Sequence, residues 1–178
     1  MPKVLISDSL SNLANEVFKM ASNKKVLFNI FEGSTINTPS MLCVEDVLDS
    51  LNWVISLGGL ETLVNRSDES LKNIENWMNQ IKWAEFLSKN PETRSNTSIT
   101  FKINEKWFIE KDNKKQREIM KEITSMLLKE KVAYDINGYP KAPPSFRVWG
   151  GGTVEPENIK KLLPWINWAF NKVKSSYA

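Results

Sequence analysis

Apolar residues recur at helical spacing through residues 39–57, where Val44, Val47, Leu48, Leu51, Val54 and Ile55 fall on one face. Thr38 is placed to cap this helix, and Pro39 to fill its first position, where a missing N–H costs nothing. Gly58 and Gly59 follow as a left-handed stop. A second periodic run over residues 60–86 aligns Leu60, Leu63, Val64, Leu71, Ile74, Trp77, Met78 and Ile81. Residues 65–68 are a candidate break in it, with Ser67 or Asp68 able to cap the second piece.

The period then changes. Over residues 95–103, Ile99, Phe101 and Ile103 alternate with Ser98, Thr100 and Lys102, which predicts a half-buried antiparallel strand. Helical spacing returns over 114–131, with Ile119, Ile123, Met126 and Leu127 inward. A short strand is predicted over 132–136, a turn at Asn137-Gly138, and a loop over 139–145, which holds Pro140, Pro143 and Pro144. Residues 146–149 read as a strand that dies in Gly150-Gly151-Gly152. The last helix starts at Glu155-Pro156 and buries Ile159, Leu162, Leu163, Ile166, Phe170 and Val173. Strands over 3–7 and 25–30 complete an α/β arrangement, a small and mainly antiparallel sheet with helices packed on it.

Composition narrows the chemistry. The 178 residues are 41% hydrophobic and 25% charged, enough for one domain with a real core. There is no histidine, which removes Ser–His–Asp and Cys–His nucleophilic systems and histidine metal ligation together. No metal site is expected. Cys43 is the single cysteine, so no internal disulfide forms, and its place in an apolar helix predicts a buried structural thiol. The 24 basic and 21 acidic residues are spread along the chain without a long basic run, so no nucleic-acid footprint is visible. No apolar run is long enough to span a bilayer, and Met1-Pro2-Lys3 leads no signal-peptide pattern, which predicts a cytoplasmic protein. The tryptophans Trp53, Trp77, Trp83, Trp165 and Trp168 lie within or beside apolar helical faces and read as packing. Gly150-Gly151-Gly152 is no dinucleotide loop, because Glu155 stands where the third glycine is needed.

Two features carry candidate chemistry. The loop from Gly33 to Met41 feeds a helix start whose free N–H groups and positive dipole end, beside the Asn37 amide and Thr38 hydroxyl, would seat a phosphate. An ordinary helix cap is the competing reading. Arg147 lies between Phe146 and Val148 and so faces away from them, where rigid backbone would aim its fork at a carboxylate. A solvent-facing arginine on an edge strand is the alternative.

The stretch from Ile30 to Asp46, together with Leu51-Asn52-Trp53, Gly58-Gly59-Leu60, the run Glu92 to Ser98, Val132 to Ile136, Ala142-Pro143-Pro144, Phe146 to Trp149, Leu163-Pro164-Trp165 and Trp168-Ala169-Phe170, resembles phosphoserine aminotransferase. The likeness covers residues 29–178 and implies the C-terminal small domain of a fold-type I pyridoxal-phosphate (PLP) transferase. Residues 1–24 look like the opening of 3-phosphoglycerate dehydrogenase, so the chain reads as a 1–28 βα extension joined to a 29–178 small domain. That dehydrogenase's chemistry leans on a histidine and is excluded here.

The resemblance implies roles residue by residue. Asn37 and Thr38 match the loop that reaches the PLP phosphate of a neighbouring subunit. Arg147 matches the clamp for the substrate α-carboxylate, and the loop 138–143 with Tyr139 and Lys141 matches the region holding the substrate's own phosphate. Relatives usually carry an arginine where Pro140 stands, and Lys141 offers a point charge in place of a planar fork. The family reaction converts phosphohydroxypyruvate and glutamate to phosphoserine and 2-oxoglutarate, using a lysine, an aspartate and a stacking ring of the large domain. That domain would precede Asn29, so no catalytic residue is assigned. The 178 residues are expected to be inactive alone, without stoichiometric PLP, as a homodimer or beside a large-domain partner. Alternatively they form a non-catalytic module that self-associates, or a monomer whose N-terminal extension covers the exposed surface.

Overall fold

The computed structural model describes residues 21–22, 25–26, 28, 32 and 40–177, in two compact units that divide between Trp53 and Val54. The expected boundary after residue 28 falls among residues outside this set, as do the predicted strand over 3–7 and the predicted roles of Asn37, Thr38 and Pro39.

In the first unit, β1 (Ala21–Ser22) and β2 (Lys25–Val26) pair antiparallel, with Ala21 opposite Val26. The strand expected over 25–30 is thus only two residues long where it is described. Helix α1 (Met41–Ser56) starts two residues later than predicted, with the Val44 N–H bonded to the Ser40 carbonyl at 3.1 Å. Its apolar pattern is intact, yet none of its residues is buried. Val44, Val47, Leu48, Leu51 and Ile55 are all exposed, and so is Cys43, contrary to the buried thiol expected. Periodicity specifies a face suited to burial, and these side chains are exposed in the described structure.

The second unit opens on the helix stop predicted from the glycines. Gly58 and Gly59 have φ of 106° and 81°, and the Gly59 N–H reaches back to the Val54 carbonyl at 2.9 Å. Helix α2 (Leu60–Gln80) then runs unbroken through residues 65–68. The Ser67 hydroxyl bonds back to the Leu63 carbonyl at 3.2 Å, so the polar cluster is absorbed into the helix and caps nothing. The predicted helix over 60–86 ends early, because Ala84–Phe86 forms strand β3. Pairing with β4 (Ser98–Ile103) overrides the helical pattern there, with Ala84 opposite Ile103 and Phe86 opposite Phe101.

β4 is the central strand of three, all antiparallel, with β5 (Phe146–Trp149) on its other side. The predicted alternation holds: Ile99, Phe101 and Ile103 are buried, as are Phe146 and Val148. This apolar face joins one core with Ile74 of α2, with Ile119, Ile123 and Leu127 of a helix at Asn113–Lys129, and with Ile166, Phe170 and Val173 of a helix at Pro156–Lys174. The short helix Lys106–Ile109 is α3, so these two are α4 and α5. Asp112 caps α4 by accepting the Lys115 N–H at 2.8 Å, and Pro156 opens α5 as predicted. Trp83 stacks on Phe170 at 3.9 Å, and its indole N–H donates to Asn167 at 2.9 Å, which confirms it as packing.

Two local expectations fail. Residues 132–136 form no strand; only an isolated bridge joins Asn137 to Phe146, because Lys131 and Asp135 take φ of 59° and 50° and break the extended run. Asn137-Gly138 is no tight turn either: the Gly138 N–H bonds the Ser145 carbonyl at 2.8 Å, closing a wide loop over 138–145. Among the described residues, no single helix is long and apolar enough to cross a membrane.

Candidate functional site

Alternation on β5 puts Phe146 and Val148 in the core and turns Arg147 to the polar face of the sheet, opposite Thr100. The Arg147 N–H bonds the Ile136 carbonyl at 2.9 Å, which draws residues 135–137 alongside the strand. The guanidinium meets three groups there. Its Nη2 donates to the Asp135 carboxylate at 2.6 Å and to the Asp135 carbonyl at 3.3 Å, and its carbon lies 4.6 Å from the Tyr139 ring centroid. Its Nε is buried and has no acceptor among the described residues. The Arg147 side chain is only 14% exposed, against 85% for Asp135.

The structure therefore brings together two of the residues read from sequence, Arg147 and Tyr139. Lys141 is exposed on the same loop and makes no hydrogen bond or ion pair among the described residues. The far side of the loop is fixed by Arg117 of α4, whose Nη2 donates to the Ala142 carbonyl at 2.7 Å while its Nε donates to Asn113 at 2.8 Å. A groove of about 320 Å³ runs there between α4 and the loop, with Arg117, Lys121, Asn137 and Gly138 among its walls. Asp135 and Arg117 were missed by sequence reasoning. The spacing of Arg117 and Lys121 on one helix face was a usable signal. The approach of Asp135 to Arg147, twelve positions away, had none.

Two curated proteins named phosphoserine aminotransferase are similar to this chain. The one from Methanosarcina barkeri (strain Fusaro) is 43% identical over 159 residues, covering 89% of this chain and 40% of the relative. The one from Methanosarcina mazei is 42% identical over the same length, with the same coverage. The chain is a homologue of part of phosphoserine aminotransferase. It spans 40% of the length of these relatives. The solved phosphoserine aminotransferase of Bacillus circulans subsp. alkalophilus shares the fold, with a TM-score of 0.63 at 18% identity over 80% of this chain and 36% of that one. No protein-family model matches. Nothing in these comparisons supports the dehydrogenase likeness of residues 1–24.

Phosphoserine aminotransferases are in general PLP-dependent, and desolvation is one way a Schiff-base lysine is activated. Every lysine from Lys72 to Lys174 is exposed or half-buried. Lys115, hydrogen-bonded to Glu118 at 3.2 Å, is raised above its ordinary 10.5 by that bond, the opposite of the lowering a Schiff-base lysine needs. The described residues by themselves do not fit a resident PLP.

Proposed function

We propose that these 178 residues serve as the substrate-side small domain of a phosphoserine aminotransferase. The observation that carries this reading is Arg147, a cation lodged on a rigid strand with most of its side chain shielded from water, in a chain 43% identical over 159 residues to a protein named phosphoserine aminotransferase. In such a domain Arg147 receives the substrate carboxylate, Tyr139 backs the guanidinium, and Lys141 offers its charge to the substrate's phosphate. Asn37 and Thr38 contact the cofactor phosphate of a neighbouring subunit. The aldimine lysine and the groups that tune PLP belong to the remaining length of the relatives, so the 178 residues alone do not transaminate. A large-domain partner completes the active unit, and the assembly works in the cytoplasm.

The test is a PLP titration of the chain, followed by borohydride reduction and intact-mass measurement. No stoichiometric adduct is expected. One reduced adduct on a single lysine would overturn this reading and call for transaminase assays.

A second reading is a non-catalytic homodimer, favoured by the exposed apolar residues of α1. Light scattering separates the two: a monomer at every concentration eliminates self-association.

A further inference from the structure

We propose that Asp135 is an internal competitor for the carboxylate site, held on Arg147 until a ligand carboxylate displaces it. The inference rests on reading Arg147 as a carboxylate clamp, and it adds the residue that sets the clamp's affinity.

The two members of the pair are built unequally. Arg147 is anchored in the β4–β5 ladder, and its side chain is largely shielded. Asp135 projects from a loop and is 85% exposed, so its carboxylate regains water at little cost when it leaves. Its backbone sits at φ 50°, a conformation aspartate tolerates better than most residues, and this is what turns the carboxylate back onto the strand. The contact also uses the fork poorly. Asp135 occupies Nη2, while Nε, on the same edge of the guanidinium, is buried without an acceptor. A buried donor in that state is unfavourable, and a carboxylate bound across the Nε–Nη2 edge would satisfy both. A ligand carboxylate thus makes one hydrogen bond more than the Asp135 carboxylate makes, and Asp135 lowers the affinity because its carboxylate has to be removed.

The test is a titration of the 178-residue chain with L-glutamate, following the backbone amide resonances of residues 135–148 by NMR, a readout that survives substitution of the Arg147 side chain. D135N and D135G are the variants, because asparagine and glycine both accept a positive φ and so preserve the loop. The expected result is a dissociation constant about fivefold lower in both variants than in the parent chain. R147K abolishes the response in every background. If the parent chain binds at Arg147 and the two Asp135 variants bind equally or more weakly, the competitor role is overturned while the clamp survives. If no chain shows a response, or if R147K leaves binding intact, the clamp reading falls and the competitor role falls with it.

Discussion

Helices α1 and α5 carry equally legible apolar stripes, yet α5 buries Ile159, Leu163, Ile166, Ala169, Phe170 and Val173 whereas α1 buries nothing. The difference lies in what each stripe meets. α5 has a sheet face of Ile99, Phe101, Phe146 and Val148 in the same core cluster, with Trp83 stacked on Phe170. α1 presents Met41, Leu42, Val47, Leu48 and Leu51 to water in the described structure. A stripe states that a partner is needed and is silent about where the partner comes from.

The sharpest way to break the comparison is to remove one large side chain from each helix. F170A should destabilise the second unit by about 3–5 kcal/mol in a denaturant melt, because it deletes a fully buried ring and its stack on Trp83. L48A in α1 should change the same melt by no more than about 0.5 kcal/mol, and an equal loss in both variants would refute the contrast.

A smaller effect is expected at the strand exit. A Cβ on Gly150 would lie 2.8 Å from Ile99 Cδ1 and 3.1 Å from the Asn96 carbonyl, so G150A should cost about 1–3 kcal/mol by the same melt. Next comes the loop anchor. R117A removes the bond to the Ala142 carbonyl and should lower protection of residues 138–145 in amide exchange by about 1 kcal/mol, leaving α5 unchanged. The pair L48K/L51K sharpens the comparison from the other side: stability should hold, while any self-association seen by light scattering should disappear.

The smallest effect is electrostatic. Lys115 is raised by its bond to Glu118, so its contribution is fully present below the ordinary 10.5 and fades as pH climbs through the raised value. A melting temperature that falls more steeply with alkaline pH in the parent chain than in E118Q is the expected sign. Identical slopes would remove the Lys115–Glu118 bond from the account.

Much of the second unit is legible in the amino-acid sequence. The alternation around Phe101 gave β4, the glycine pair after α1 gave its stop, and Pro156 gave the start of α5. These are short-range features, decided by sterics and by side-chain period, and both are written in consecutive residues. The failures share a cause too. Residues 84–86 carry a helical stripe but pair with β4, and residues 132–136 look extended but follow a positive φ at Lys131 and are broken by another at Asp135. In each case a contact or bend set by distant chain outweighed local preference.

The candidate site divides along the same line. By itself the sequence determined that histidine chemistry is absent, that Arg147 faces away from the core, and that Tyr139 lies in a proline-bearing loop near it, because counting and alternation suffice for all three. Tertiary structure alone decided that Asp135 closes on Arg147, that Arg117 ties down the opposite end of the loop, and that the α1 stripe is exposed among the described residues. Those outcomes depend on how far apart residues come to lie after the sheet and helices pack, a distance that no local pattern encodes.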